Sequence, residues 1–355
     1  MMKELTTILK PLKRISPSRY TAINRCPYRV VLANSYSYPL LPYPPASHLG
    51  NVIHECIRLI VTGEIRTSTE FDAVWNRLLA KQEKALEDMG FGFFTPLSEN
   101  VPGYTIKKLQ VKFLLKSRNK KEVQEDKNTD TNILTEKWLE AQDSLIGGYA
   151  DIIITRNGYT KLSDFKSGKI LLEEGEIKEE YEDQLKLYAY LYNEMYGKYP
   201  DELSIIDLEK KEYPVAFTPQ ECEVLASKSR DALSKINSLI EMDELEALAK
   251  PDLDNCKSCL YRPACNFYWE LPVSETDSIF RDVRGNVTKV RQFHNGNLNA
   301  TLNTDDKELT VSHITSEYLF FLTGAVGKEV AFYNVKQGLM PERYQALKTT
   351  KIYEA

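Results

Sequence analysis

Asp151, Asp164 and Lys166 carry the chemistry most readily read from this chain. In a strand alternate residues share a face, so Leu162, Asp164 and Lys166 point one way and Ser163 and Phe165 the other. Asp151 falls in the stretch from Leu145 to Thr155, which is joined to Lys161–Ser167 through Arg156-Asn157-Gly158-Tyr159-Thr160. Asn-Gly there is a hairpin turn, and pairing across it sets Asp151 beside Asp164. Two adjacent carboxylates resist joint ionisation unless a cation lies between them. Hard oxygen donors suit Mg²⁺ or Mn²⁺, and a lysine over the same face can orient a water or stabilise charge developing on a phosphate. An isolated Asp-x-Lys is more often a surface hairpin with a salt bridge, so the reading depends on what accompanies it.

Gln184-x-x-x-Tyr188 lies one helical turn apart on the next helical pattern, so both side chains share a face. His54 sits on an amphipathic helix of residues 47–61, about 100° from the stripe of Leu49, Ile53, Cys56, Ile57 and Ile60, at the margin between core and solvent. Taken alone, a histidine there is more often structural than a ligand. Of the six cysteines, Cys256, Cys259 and Cys265 fall within ten residues. Six in this length is too sparse for a disulfide scaffold, so the cluster reads as metal ligation, with zinc and iron–sulfur both open. Cys56 and Cys222 read as buried thiols.

Gly50-x-x-x-His54-Glu55, Gly148-Tyr-Ala-Asp151, Asp164-Phe-Lys166-Ser-Gly168 and Gln184-x-x-x-Tyr188, in this order, resemble the RecB-type branch of the PD-(D/E)XK nucleases. An upstream Cys26 followed by Cys256-x2-Cys259-x5-Cys265 is similar to the iron–sulfur members of that branch, the CRISPR-associated exonucleases and AddB-type nuclease domains. The resemblance runs from residue 16 to about 270. It implies that His54, Asp151 and Asp164 hold the divalent metal with the carbonyl of Phe165, and that Lys166 positions the attacking water. It further implies that Gln184 and Tyr188 support the site or touch the DNA backbone. Cys26, Cys256, Cys259 and Cys265 would ligate a [4Fe–4S] cluster that staples distant segments and takes no part in catalysis. With the upstream motifs, iron–sulfur is preferred to zinc.

The elements that must position these groups follow from the same sequence. Ser16-Pro17 starts a helix from Arg19 to about Ser35 that carries Cys26. Residues 39–45 are a proline-rich rigid loop, and helices are expected over 47–61, 70–88, 179–196 and 219–242. The polar run 117–131 reads as a solvated loop. Beyond Leu271 the composition changes. Strands at 280–293, 298–302 and 308–313, a helix at 316–322, then strands at 328–335 and 344–353 give the order of a small five-stranded OB-type barrel. The expected fold is therefore α/β: a restriction-endonuclease-like core over residues 1–271, with helices around a small mixed sheet, and an OB-like barrel over 278–355.

The 355 residues carry a net charge of −5, so bulk charge does not announce a polyanion partner, and a nucleic-acid site must be a local patch. In the barrel, Arg284, Lys289 and Arg291 with Phe293 are the candidate DNA-binding stripe. No apolar run reaches the roughly 18–20 residues of a membrane span, and a cytoplasmic protein is expected. There is no Gly-x4-Gly-Lys-Ser/Thr, so the chain is not itself a helicase motor, though a helicase or other DNA-processing protein is an expected partner. The leading expectation is an Mg²⁺- or Mn²⁺-dependent deoxyribonuclease, an exonuclease on single-stranded ends in repair, recombination or defence. The competing readings are a nucleic-acid-binding or scaffolding subunit that keeps the fold with little catalysis, and an iron–sulfur or zinc protein that binds RNA.

Overall fold

The structure is a computed structural model and describes residues 7–122, 131–270, 280–304 and 307–355. It divides into two compact units. One comprises residues 9–34 and 44–250; the other comprises residues 1–8, 35–43 and 251–355.

The first unit begins with short helices α1 (Tyr20–Arg25) and α2 (Pro27–Ser35) where one continuous helix was expected. Pro27 explains the break. The residue before a proline is pushed out of the helical region, and Cys26 is extended at φ −153°, ψ 94°. Next come α3 (Pro45–Val61), α4 (Ser68–Asp88), α5 (Leu97–Asn100) and α6 (Tyr104–Glu122). Thr67 and Glu70 start α4 with reciprocal side-chain-to-backbone bonds. The helix α6 runs into the polar stretch expected to be loop; residues 123–130 of that stretch lie outside the described residues, as does the composition change at 271–279.

A five-stranded sheet follows, with order β1 (Thr131–Glu140), β2 (Gly147–Arg156), β3 (Tyr159–Lys166), β4 (Glu202–Asp207) and β5 (Glu212–Val215). Asn157 and Gly158 turn β2 into β3 with φ of 50° and 84°, the left-handed pair that such a two-residue hairpin needs. β3 and β4 run parallel, connected through α7 (Glu179–Tyr196); the other neighbours are antiparallel. α7 and α8 (Pro219–Glu241) close one core, in which Leu162, Ile153, Leu203 and Ile205 of the sheet meet Leu185, Leu187 and Leu191. A second core joins α3, α4 and α6 around Phe71, Trp75 and Val111, with Phe165 against it.

The second unit holds α9 (Leu253–Lys257) and strands β6 (Phe280–Gln292), β7 (Leu298–Asn303) and β8 (Glu308–Ile314), then α10 (Leu319–Gly324) and β9 (Glu329–Gln337). Two short strands, β10 (Arg343–Gln345) and β11 (Lys351–Glu354), replace the single final strand expected. β8–β7–β6–β9–β10 is continuous, and β10 returns parallel to β8, which closes a five-stranded barrel; β11 lengthens the edge of β9. Closure leaves the barrel no long free edge, and Val287, Leu302, Val311 and Phe332 fill its interior.

The unit boundary lies between Lys250 and Pro251, so the cysteine-bearing segment, expected within the first domain, packs with the barrel. Arg262 is the reason. Its Nη1 donates to the carbonyls of Cys256, Lys257 and Cys259 at 3.1, 3.2 and 2.7 Å, and its Nε donates to Asp282 of β6 at 2.8 Å. Tyr268 Oη donates to the same Asp282 carboxylate at 2.8 Å. The proline-rich loop joins this unit too, through Leu41 N to the Leu260 carbonyl and Tyr353 Oη to the Leu40 carbonyl.

Candidate active site

The hairpin brings the two aspartates together. The ladder ends at Ile152 opposite Ser163, and the same register carried one step further sets Asp151 against Asp164. Asp164 is 3% exposed. Its Oδ1 accepts from Gln184 Nε2 at 2.8 Å, and the Gln184 Oε1 accepts from Lys166 Nζ at 3.0 Å. Lys166 Nζ also pairs with Asp164 Oδ2 at 2.8 Å. Asp164, Lys166 and Gln184 thus converge on one side of β3, while Ser163 bonds Ser204 and Phe165 packs on the helical core. Asp151 Oδ2 accepts from the Phe165 amide at 2.8 Å and lies 3.6 Å from His54 Nδ1 on α3. Tyr188, a turn beyond Gln184, donates to the Tyr149 carbonyl at 2.7 Å and braces the strand that carries Asp151.

The electrostatics are those of crowded charge out of water. Burial, and then the charge of Asp164, hold the Asp151 carboxyl well above the ordinary carboxylate range. Burial lowers the His54 pKa, Lys166 lowers it further and Asp164 opposes both, which keeps the imidazole neutral at neutral pH and able to donate a lone pair. Burial works against the Lys166 ammonium, but Asp164 and Asp151 outweigh it and raise its pKa. The two carboxylates of Asp151 and Asp164 and the neutral imidazole of His54 fit a hard divalent cation in donor type. As the side chains stand, no three His, Cys, Asp or Glu among the described residues converge closely enough to ligate one ion.

Two neighbours were missed in the sequence. Glu136 lies opposite Asp151, between the pairs Thr135–Ile152 and Lys137–Ala150, in a left-handed backbone at φ 47°. Partial burial, Glu55 and Asp164 raise its pKa. Only recognition of β1 as a strand would have revealed it. Tyr181 lies under Lys166, 4.7 Å from ring centroid to Nζ, and its spacing of three from Gln184 on one helix was a readable signal.

A model of the PD-(D/E)XK nuclease superfamily matches residues 14–266. The chain belongs to that superfamily. Members usually hydrolyse phosphodiester bonds with divalent metals, so the substrate of this superfamily member is a nucleic acid. Fifteen solved chains match it; one, described as "Crystal structure of SSO0001", is 14% identical and covers 73% of this chain and 88% of its own length, with a TM-score of 0.29. No curated protein matches.

The remaining expected residues of this superfamily member lie elsewhere. Cys26 falls at the break between α1 and α2 in the first unit. Cys256 is on α9, with Cys259 and Cys265 on the loop beyond it, in the second unit. Cys56 and Cys222 are buried thiols pushed up to about 12, chiefly by burial. In the barrel, Arg284 pairs with Glu329 at 2.9 Å, while Lys289, Arg291 and Phe293 are exposed and Arg291 lies over the Phe293 ring at 4.8 Å. No described helix is long and apolar enough to cross a membrane.

Proposed function

We propose that the chain is an Mg²⁺- or Mn²⁺-dependent deoxyribonuclease acting on single-stranded ends. The observation that carries this reading is the hydrogen-bonded set Asp164–Gln184–Lys166 beside the raised carboxyl of Asp151. His54, Asp151 and Asp164 would hold the divalent ion, with the Phe165 carbonyl assisting; when bound, the ion would stabilise charge on the scissile phosphate and make water more acidic. Gln184 fixes both the Asp164 carboxylate and the Lys166 ammonium, so the lysine presents its charge at a defined point to the incoming water or the phosphate. Tyr188 and Gln184 act as positioning residues through the strand and the side chains they hold. The site has acceptors for a cation and a cation for a phosphate, which a purely scaffolding subunit would not need.

Cys26, Cys256, Cys259 and Cys265 are proposed as ligands of a [4Fe–4S] cluster on the strength of their resemblance to the iron–sulfur members of the RecB-type branch, since four thiols at this spacing also suit zinc. Arg284, Lys289, Arg291 and Phe293 are proposed as a single-strand contact of the barrel, and a helicase or other DNA-processing protein as a partner. The domains proposed are a nuclease domain over residues 1–271 and an OB-like domain over 278–355, in a cytoplasmic enzyme of repair, recombination or defence. The test is degradation of end-labelled single- and double-stranded DNA and RNA with Mg²⁺, Mn²⁺ or EDTA, with Lys166→Ala as control. Metal-dependent loss of single-stranded DNA that Lys166→Ala abolishes is the expected result. Equal activity in wild type and variant removes the assignment.

A further inference from the structure

Arg14, Trp138, Glu140 and Tyr149 line a shallow recess of about 360 Å³, at the small end of ligand-sized recesses (roughly 300–1,000 Å³). Its placement follows from strand pairing. Trp138 faces Tyr149 across β1 and β2, and their rings meet edge to face with centroids 4.8 Å apart and planes at 63°. Along β2, Gly148 and Ala150 are buried while Tyr149 and Asp151 are not, so Tyr149 and Asp151 leave the strand on the same side. They are two residues, about 7 Å, apart. Gly147 makes room for the indole: a Cβ there would lie 2.9 Å from Trp138 Cζ2. Ile15 pairs with Ile146 at the start of β2, which carries the neighbouring Arg14 over the indole, 5.2 Å from the ring centroid, and into an ion pair with Glu140.

We propose that this recess is a stacking subsite for one unpaired nucleobase of the substrate strand, next to the phosphate attacked at Asp151 and Asp164. The proposal rests on the nuclease reading and deepens it. A free phosphate or sulfate is disfavoured because Glu140 already neutralises Arg14. An aliphatic ligand would leave the guanidinium–carboxylate rim unused. A base uses the exposed groups of the recess: its flat face lies on the Tyr149 ring, which is 57% exposed and held edge to face by Trp138, with the planar Arg14 guanidinium as a wall. Its ring-edge donors and acceptors meet Glu140 and Arg14. Such a subsite favours strands whose bases are unstacked, the form found at single-stranded ends.

The test measures binding separately from cleavage. Full-length Asp164→Asn protein is titrated by fluorescence anisotropy with a labelled single-stranded oligonucleotide, in a DNA arm and an RNA arm, with and without Tyr149→Ala. The Tyr149 carbonyl that Tyr188 uses is backbone and survives the change. Tyr149→Ala is expected to weaken binding about 5- to 100-fold in the arm that binds, and Tyr149→Phe to restore it. A series of strands with one abasic position moved stepwise should contain one position whose loss weakens the parent but not the Tyr149→Ala protein. Unchanged affinity in Tyr149→Ala, no such position in the abasic series, or no single-strand binding in either arm overturns the subsite. Cleavage that survives Lys166→Ala overturns the nuclease reading instead, and leaves the binding result standing on its own.

Discussion

Asp164→Asn separates the electrostatic role of the site from its packing. The amide is isosteric, and its oxygen can still accept from Gln184 Nε2, so the hydrogen bond now 2.8 Å long is retained. What is lost is the charge 2.8 Å from Lys166 Nζ, in a pair whose side chains are 19% and 4% exposed. Removing one partner of a buried pair costs about 3–5 kcal/mol when the other charge is stranded. Lys166 is not stranded: Gln184 Oε1 still accepts from it, and Asp151, relieved of its neighbour's charge, ionises more readily and attracts it. The net destabilisation should therefore be about 1–3 kcal/mol, a few degrees in melting temperature for a chain of this size. Excess Mg²⁺ or Mn²⁺ should raise the wild-type melting point, by about 2.7 kcal/mol of added stability at 100 times the dissociation constant, and leave the variant nearly unmoved. Cleavage should fall about 100-fold or more. Melting curves with and without metal, run beside a gel assay on labelled DNA, give all three quantities. Metal stabilisation equal in the two proteins would refute the assignment of Asp164 as a ligand even if activity fell.

Asp151→Asn should be more stable than wild type near neutral pH without divalent metal. A carboxyl whose folded pKa lies above its ordinary 3.8 favours the fold only while protonated, a contribution lost as pH rises through the folded value. Urea titrations should show the variant's advantage at neutral pH vanish near the ordinary carboxylate pKa; an advantage that grows on acidification would reverse the argument. Gly148→Ala should cost about 1–3 kcal/mol and slow cleavage, since its Cβ would lie 2.9 Å from Pro17 Cδ and 3.2 Å from Tyr188 Oη; a melting curve and a rate on one preparation check both. Arg262→Ala should cost about 3–5 kcal/mol, read by thermal melting: the Asp282 carboxylate keeps its bonds from Tyr268 and the Asn334 amide but loses its counter-charge, and the carbonyls of Cys256, Lys257 and Cys259 lose their shared donor. Cys259→Ser should lower the iron content and bleach the brown absorbance expected of anaerobically purified protein, whereas a colourless wild type carrying zinc would replace the cluster.

How much of this was legible depended on how local the signal was. Asn157-Gly158 specifies its own turn, and that turn alone aligns Asp151 with Asp164, so the hairpin of the candidate site could be read from adjacent residues. Gln184 and Tyr188 were legible because helical spacing is equally local. The strands β1, β4 and β5 were not: Thr131–Glu140 is polar along much of its length, and it pairs by ladder with β2, not by an apolar pattern of its own. With β1 hidden, Glu136, Trp138 and their register against Asp151 and Tyr149 were hidden as well. The extension of α6 into the polar stretch shows that polarity alone does not mark irregular backbone. The break at Cys26 was readable in principle, since Pro27 follows it, but a helix-favouring pattern on both sides masked it.

The bond network of Arg262 also determines where the chain can be cut. A truncation after residue 270, the natural choice from composition, would keep the guanidinium and remove Asp282 and Asn334, two of its partners on the barrel strands. The cysteine loop would then lose the anchor of the one side chain that gathers three of its carbonyls. Any loss of colour, solubility or cleavage in such a fragment would report a damaged loop and not the barrel's own role. Because the superfamily match extends to residue 266, the loop is claimed by the nuclease in sequence and by the barrel in its bonds. The barrel's contribution is accordingly measured better by substitutions on its exposed strands than by deleting it.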